Sequence, residues 1–186
     1  TEHGLLMSGR EELGSQSASE LTVAMTRSVA RIDLESTDQS VEVLQVSIDG
    51  LADDGYLNQQ ATATHPQDAA TTRFDKQYNT PLSNARETIF YICEQQGTDI
   101  QAEVLVRFRN ALHKLKATLP TTIRRNTVYT IHVYGRGGDV MMTISNGDWE
   151  QGDTSGSETQ IKARVNVEAS ALPANVKVNS TCDTVF

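Results

Sequence analysis

The sequence predicts an all-β fold, an antiparallel β-sandwich. Short apolar/polar alternations recur through the 186 residues, separated by Gly, Pro, Asn and Asp punctuation. Credible helical periods are few, and strands spaced this way pack as two sheets. A Gly-rich connection, Gly135-Arg136-Gly137-Gly138-Asp139, joins two of the alternations and supplies the positive φ angles that a hairpin needs.

The first twenty residues are rich in Gly, Ser and Glu and read as an extended segment and a loop. Residues 21–34 satisfy two patterns. Leu21, Met25, Val29 and Ile32 keep helical spacing, whereas Leu21, Val23 and Met25 alternate on one parity and Ala30, Ile32 and Leu34 on the other. The strand reading requires a bulge near 26–29 to absorb the change of parity. Leu44, Val46 and Ile48 alternate up to an Asp49-Gly50 turn signal. Residues 50–86 read as loop, broken by Asp53-Asp54-Gly55, His65-Pro66 and Thr80-Pro81, with one short helical turn near 82–87. Ile89-Phe90-Tyr91-Ile92-Cys93 is a buried strand by composition. Ile100, Ala102, Val104, Val106 and Phe108 form a half-buried strand with Leu105 as the outward apolar exception. Leu115, Ala117 and Leu119 alternate with Lys114, Lys116 and Thr118 up to Pro120. Residues 128–134 and 140–144 are the two arms of the Gly-rich hairpin, and Asn146-Gly147-Asp148 signals a turn before Trp149. The core is expected to take Val104, Val106, Phe108, Tyr129, Ile131 and Val133.

Residues 1–152 are read as the sandwich domain and 153–159 as a Gly/Ser/Thr linker. Residues 160–186 are read as additional C-terminal strands or the start of a further β domain. Within them 161–167 alternates strictly and is expected to pair, either with the preceding sandwich or with a neighbouring molecule.

Composition narrows the function. Acidic residues number 24 and basic residues 16, a net charge of -8, which argues against nucleic acid as the main partner. Residues 1–60 hold 3 basic and 11 acidic side chains, whereas 100–145 hold 7 basic and 2 acidic. That asymmetry either orients neighbours or simply distributes over solvated faces. No apolar run approaches the ~20 residues that span a bilayer. Thr1 reads as the edge of a processed or trimmed chain. Cys93 and Cys182 are expected to be free thiols, with a single bridge as the alternative.

Candidate chemistry is sparse. His3, His65, His113 and His132 stand at no metal-ligand spacing, and Asp53-Asp54 lacks the remaining oxygen ligands of a calcium loop. Gly135-Arg136-Gly137-Gly138 lacks the Lys-Ser/Thr of a phosphate loop, and no Gly-x-Ser-x-Gly elbow is present. The expectation is a non-enzymatic chain with no cofactor and no metal. Trp149, the sole Trp, is expected to plug the end of the sandwich, with sugar stacking as its alternative role.

Five segments, in order, carry a resemblance. They are Met7-Ser8-Gly9, then residues 21–34 with Arg27-Ser28-Val29-Ala30-Arg31 at their centre, then Ile89-Phe90-Tyr91-Ile92-Cys93-Glu94, then Arg125-Asn126-Thr127-Val128-Tyr129, and last Gly147-Asp148-Trp149. Together they resemble the fimbrillin superfamily, the major, anchor and tip subunits of type V pili. The resemblance implies a transthyretin-like, Greek-key form of the sandwich, similar to the second of the family's two domains, so the chain looks like an excerpt. It resolves residues 27–34 as a strand. It implies structural roles for Met7, Gly9, Arg27, Ala30, Arg31, Tyr91, Arg125, Asn126, Tyr129 and Trp149. Asn126, which tolerates left-handed geometry, is expected to fix the turn that aims Tyr129, Ile131 and Val133 at one face. It also implies export to the cell surface, as part of a fimbrium or at the outer membrane, and assembly by strand pairing with other pilus subunits. A host or bacterial surface protein or glycan would be the further partner. The family's lipidated Cys and protease-sensitive Arg have no match here and are not carried over. The rival reading is a surface carbohydrate-binding sandwich serving nutrient capture.

Overall fold

The structure, a computed structural model, describes residues 7–10, 23–97 and 99–149. Their strands are β1 (Met7–Ser8), β2 (Thr26–Arg27), β3 (Val29–Ser36), β4 (Val41–Ala52), β5 (Thr71–Leu82), β6 (Ala85–Cys93), β7 (Gln95–Gln96), β8 (Gln101–Phe108), β9 (Ala111–Thr118), β10 (Thr122–Ile123), β11 (Thr127–Arg136) and β12 (Asp139–Asp148). Two four-stranded sheets, ordered β12-β11-β3-β6 and β5-β4-β8-β9, face each other, and the short pairs β1-β2 and β7-β10 complete the set. The linker and the segment 160–186 lie outside the described residues.

Period-two patterning decides which side chains meet between the sheets. Ala30, Ile32 and Leu34 of β3, Val104, Val106 and Phe108 of β8, and Tyr129, Ile131 and Val133 of β11 are all buried in one core cluster. The expected inward faces are therefore the observed ones, and Leu105 points outward. The interruption expected near 26–29 is real. The chain bends at Ser28 between β2 and β3, and no helix forms there.

Five readings need correction. The region 50–86 is not mainly loop, because β5 runs for 12 residues and turns directly into β6 without a helical turn at 82–87. Its sequence, TTRFDKQYNTPL, is polar because it forms an edge, and only Phe74, Lys76, Tyr78 and the Pro81-Leu82 end are half-buried. Asp49-Gly50 is not a turn. β4 continues through it with a shift of register, and Gly50 takes φ +82° while an added Cβ would lie 2.6 Å from the Asp99 carbonyl oxygen. A second shift between Val43 and Gln45 swings Leu44 out of the core in favour of Val43 and Val46. Asn146-Gly147-Asp148 also continues a strand, paired with Thr127-Val128-Tyr129. Finally, the pairing is not wholly antiparallel, since β3 and β11 run parallel in the middle of their sheet.

The strand directions sort the connections by end. The tight turns 37–40, 83–84, 109–110 and 137–138 lie at one end, where Ser83 Oγ donates to the Gln39 carbonyl at 3.1 Å. The long loop 53–70, the β7-β10 pair, Arg125-Asn126 and Trp149 lie at the other. That second end is where the functional reading concentrates.

Candidate functional site

Strand β3 leaves this end at Val29 and β12 returns to it at Asp148, so segments remote in sequence converge there. Asn126 stands between them at φ +54°, a left-handed conformation that Asn tolerates better than most side chains. Its N–H donates to the Val29 carbonyl at 2.9 Å and its carbonyl accepts from Trp149 N–H at 3.0 Å. Arg27 Nη1 donates to Asn126 Oδ1 at 3.0 Å and to the Trp149 carbonyl at 3.4 Å. The Arg27 guanidinium also lies 4.4 Å from the Trp149 ring centroid and that of Arg31 lies 5.0 Å away. Tyr91 stacks on the same indole with centroids 5.8 Å apart and planes 11° apart. Burial first, and then the nearby Arg31 charge, lower the Arg27 pKa below the usual arginine range.

Arg125 organises the adjoining half of the corner. Its Nε pairs with Glu94 Oε2 at 3.0 Å, both side chains being at least nine-tenths buried. Its two terminal nitrogens donate to the carbonyls of Leu57 at 2.9 Å, Tyr56 at 2.8 Å and Asn58 at 3.4 Å. Ser8 Oγ and Ser28 Oγ donate to the same Leu57 carbonyl at 2.7 and 3.0 Å. A fork of guanidinium donors thus holds three successive carbonyls of the loop against the sandwich. Gly55 passes so near β6 that an added Cβ would lie 2.7 Å from the Cys93 Cβ. Cys93 is a free thiol whose pKa is raised by burial and then by Asp54 and Asp53, so it is a poor nucleophile. Cys182 lies outside the described residues.

Each motif residue has a place. Met7 pairs with Arg27 across β1-β2, and an added Cβ at Gly9 would run into the Ala24 carbonyl oxygen. Ala30 is fully buried in the core. Tyr129 is buried, with its hydroxyl accepting from Arg124 N–H at 3.0 Å and donating to the Thr122 carbonyl at 3.3 Å. Arg31 pairs with Asp33 at 3.0 Å, and Asp33 accepts further from Arg86 Nη2 at 2.7 Å and Thr88 Oγ1 at 2.9 Å. Met7, Gly9, Arg27, Arg31, Tyr91, Arg125, Asn126 and Trp149 therefore meet at one end, whereas Ala30 and Tyr129 serve the core beneath. Trp149 is only 2 % exposed, which removes it as a sugar-stacking platform.

Two further arrangements were invisible in the sequence. A polar cleft of about 500 Å³ opens beside the corner, lined by Thr121, Thr122, Arg124, Thr127, Asn146 and Asp148 among others. On the outer face of the first sheet, His132 Nδ1 lies 2.6 Å from Glu35 Oε2 and its Nε2 lies 2.7 Å from Ser145 Oγ. This is the order of a nucleophile, a base and an orienting acid. Ser145, however, is exposed in mid-strand on a sheet face where the described residues form no enclosed oxyanion hole. The three residues act as a tie across β12, β11 and β3. Only the strand register brings them together, so no spacing in the sequence announces them.

No protein-family model matches the chain, and no curated protein does. Solved structures do. One provisionally named a cell adhesion protein, from Parabacteroides distasonis, is 17% identical over 68% of this chain and 53% of its own, with a TM-score of 0.45. Another so named, from Bacteroides ovatus, is 13% identical over 72% of this chain and 49% of its own, with a TM-score of 0.46. A C-terminally truncated tip fimbrial protein from Porphyromonas gingivalis is 11% identical over 67% of this chain and 52% of its own, with a TM-score of 0.40. The chain spans about half the length of these structures.

Proposed function

We propose that the chain is a non-enzymatic module of a bacterial surface fimbrium or adhesin, exported to the cell surface and assembling with other subunits through β-strand pairing. The observation that carries this reading is the corner. The segments that resemble fimbrillins converge there, and their side chains tie backbone to backbone instead of converging on a vacant reactive centre. Side chains spent on holding backbone together suit a building block better than a catalyst.

Strand pairing has a favoured edge. β5 carries Arg73, Lys76 and Pro81, β6 carries Arg86, and β9 carries Lys114 and Lys116, the usual deterrents to edge-to-edge contact. β12, DVMMTISNGD, has no Lys, Arg or Pro, and among the described residues no strand pairs with its outer side, where a strand could be added. The alternating segment 161–167 is the proposed source of that strand, in the same or a neighbouring molecule, with 1–152 as the sandwich and 153–159 as the linker.

Immunogold labelling of intact cells with antibody against the purified chain tests the role. Label along or at the tips of surface fibres supports it, and label confined inside cells overturns it. Truncation after Gly152, followed by hydrogen exchange, tests the pairing. Faster exchange along β12 is expected, and unchanged protection with an unchanged oligomeric state refutes it.

A further inference from the structure

We propose that the contact between Arg27 and Trp149 is a mechanical clasp, and that tension along a longer chain crosses this corner instead of running through the sandwich. The inference does not rest on a fimbrial role, because it follows from where the described body receives and releases its backbone. Met7 is paired with Arg27 in β1-β2, and Arg27 Nη1 reaches the Trp149 carbonyl at 3.4 Å. The incoming and outgoing backbones are therefore one guanidinium apart. Whatever is attached before Met7 and after Trp149 is attached at the same end of the sandwich.

The geometry sets how load is shared. Pulling those two attachment points apart loads the β1-β2 rungs at Met7 and β12 at its last residue. Hydrogen-bonded rungs are then loaded one after another, starting from the Thr127–Asp148 rung. Such peeling is the weak direction of a sheet. Pulling Trp149 against one of the turns at the opposite end instead slides β12 along β11 and loads all its rungs together. A module built to be pulled at one corner needs reinforcement at the first rung, and that is where the reinforcement lies. Trp149 N–H bonds the Asn126 carbonyl, Asn126 N–H bonds the Val29 carbonyl, and Arg27 bonds both Asn126 and Trp149 while lying over the indole. Arg27 and Trp149 are 9 % and 2 % exposed, so water competes poorly for these contacts. Tyr91 covers the indole by stacking.

The functional consequence is a pendant module. Its body is spared the tension, and the turns 37–40, 83–84, 109–110 and 137–138 project away from the line of force, presented to whatever the assembly meets.

Single-molecule force spectroscopy on the full chain tests this in a Cys93→Ala, Cys182→Ala background. One geometry, the termini-held one, holds cysteines placed by Glu2→Cys and Gln151→Cys, so that the segment proposed to pair with β12 carries no load. The other holds cysteines placed by Gln151→Cys and, at the exposed turn, by Gln39→Cys. The termini-held chain should yield at a several-fold lower force, and Arg27→Gln should lower that force further while changing the turn-held force little. Phe108→Ala, remote from the corner, controls for general destabilisation and should leave the order of the two forces intact. Equal forces in the two geometries would place the sandwich in line with the load and overturn the proposal. An unchanged termini-held force in a folded Arg27→Gln chain would overturn the clasp.

Discussion

Replacing Arg125 by Met removes a guanidinium while keeping most of the apolar volume. Glu94 then remains at 7 % side-chain exposure without its ion-pair partner, and the carbonyls of Tyr56 and Asn58 lose a donor. Breaking one side of a buried pair costs about 3–5 kcal/mol, because the surviving charge stays desolvated. The Leu57 carbonyl keeps Ser8 and Ser28, so the loop is loosened and not wholly released. For a domain of this size such a loss lowers the melting temperature by about 10–15 °C. Urea unfolding followed by circular dichroism measures the energy, and hydrogen exchange over 53–58 measures the loop. The double variant Arg125→Met with Glu94→Met supplies the decisive comparison, since a buried pair replaced by apolar side chains is often neutral in stability. It should recover most of the lost energy yet leave the loop exchanging fast, because no donor to the carbonyls returns. A single variant costing less than about 1 kcal/mol, or a double variant no more stable than the single, would refute the reasoning.

Phe108→Ala, at a core position 5 % exposed, should cost about 3–5 kcal/mol in urea unfolding, and an unchanged midpoint would refute its inward assignment. Asn126→Ala should cost more than Asn126→Gly in thermal melts, because glycine tolerates φ +54° and loses only the bond from Arg27. The reverse order would show that the Oδ1 bond outweighs the backbone. Alkaline stability should fall from about pH 9 upward. Cys93, Tyr129 and Tyr78 all have pKa values raised by burial, so the unfolded chain sheds these protons first, and their contribution is lost as pH climbs past the unfolded values towards the folded ones. Melting temperatures constant from pH 8 to 11 would contradict that.

Strands that alternate cleanly and bury one face were legible in the sequence. β8, β9 and β11 follow their apolar spacing, and the positive φ of Gly137 and Gly138 follows from the hairpin that needs it. β5 was not legible, because an edge strand with two half-solvated faces has no apolar period to display. Asp49-Gly50 and Asn146-Gly147-Asp148 carry the composition of turns, yet pairing on β4 and β12 overrides it. The corner was half legible. Its residues were singled out from a resemblance, but the grip of Arg125 on residues 56–58 spans 67 to 69 positions and leaves no local trace.

The charge asymmetry of the sequence takes its meaning from the same register. A surplus of acid in residues 1–60 and of base in 100–145 suggests a molecule with two opposite poles. Strand order dissolves much of that polarity, because acidic β4 and basic β9 flank the charge-balanced β8 in one sheet and β3 lies beside β11. Glu42 pairs with Arg107 at 2.7 Å and Glu35 lies 2.6 Å from His132, each joining residues 1–60 to residues 100–145. The outer face of the second sheet continues the pattern, with Glu103 between Lys114 and Lys116 and with Arg73 between Asp49 and Asp75. Exposed pairs of this kind contribute only about 0.2–1 kcal/mol each and weaken in salt. They serve solubility and register more than stability. The two outer faces therefore differ in kind. The second sheet meets water through a ladder of exposed pairs, whereas the first sheet buries Arg31, Asp33, Thr130 and Trp149. The buried polar contacts of the first sheet and its corner, and not the exposed pairs of the second, are therefore where a single substitution costs most.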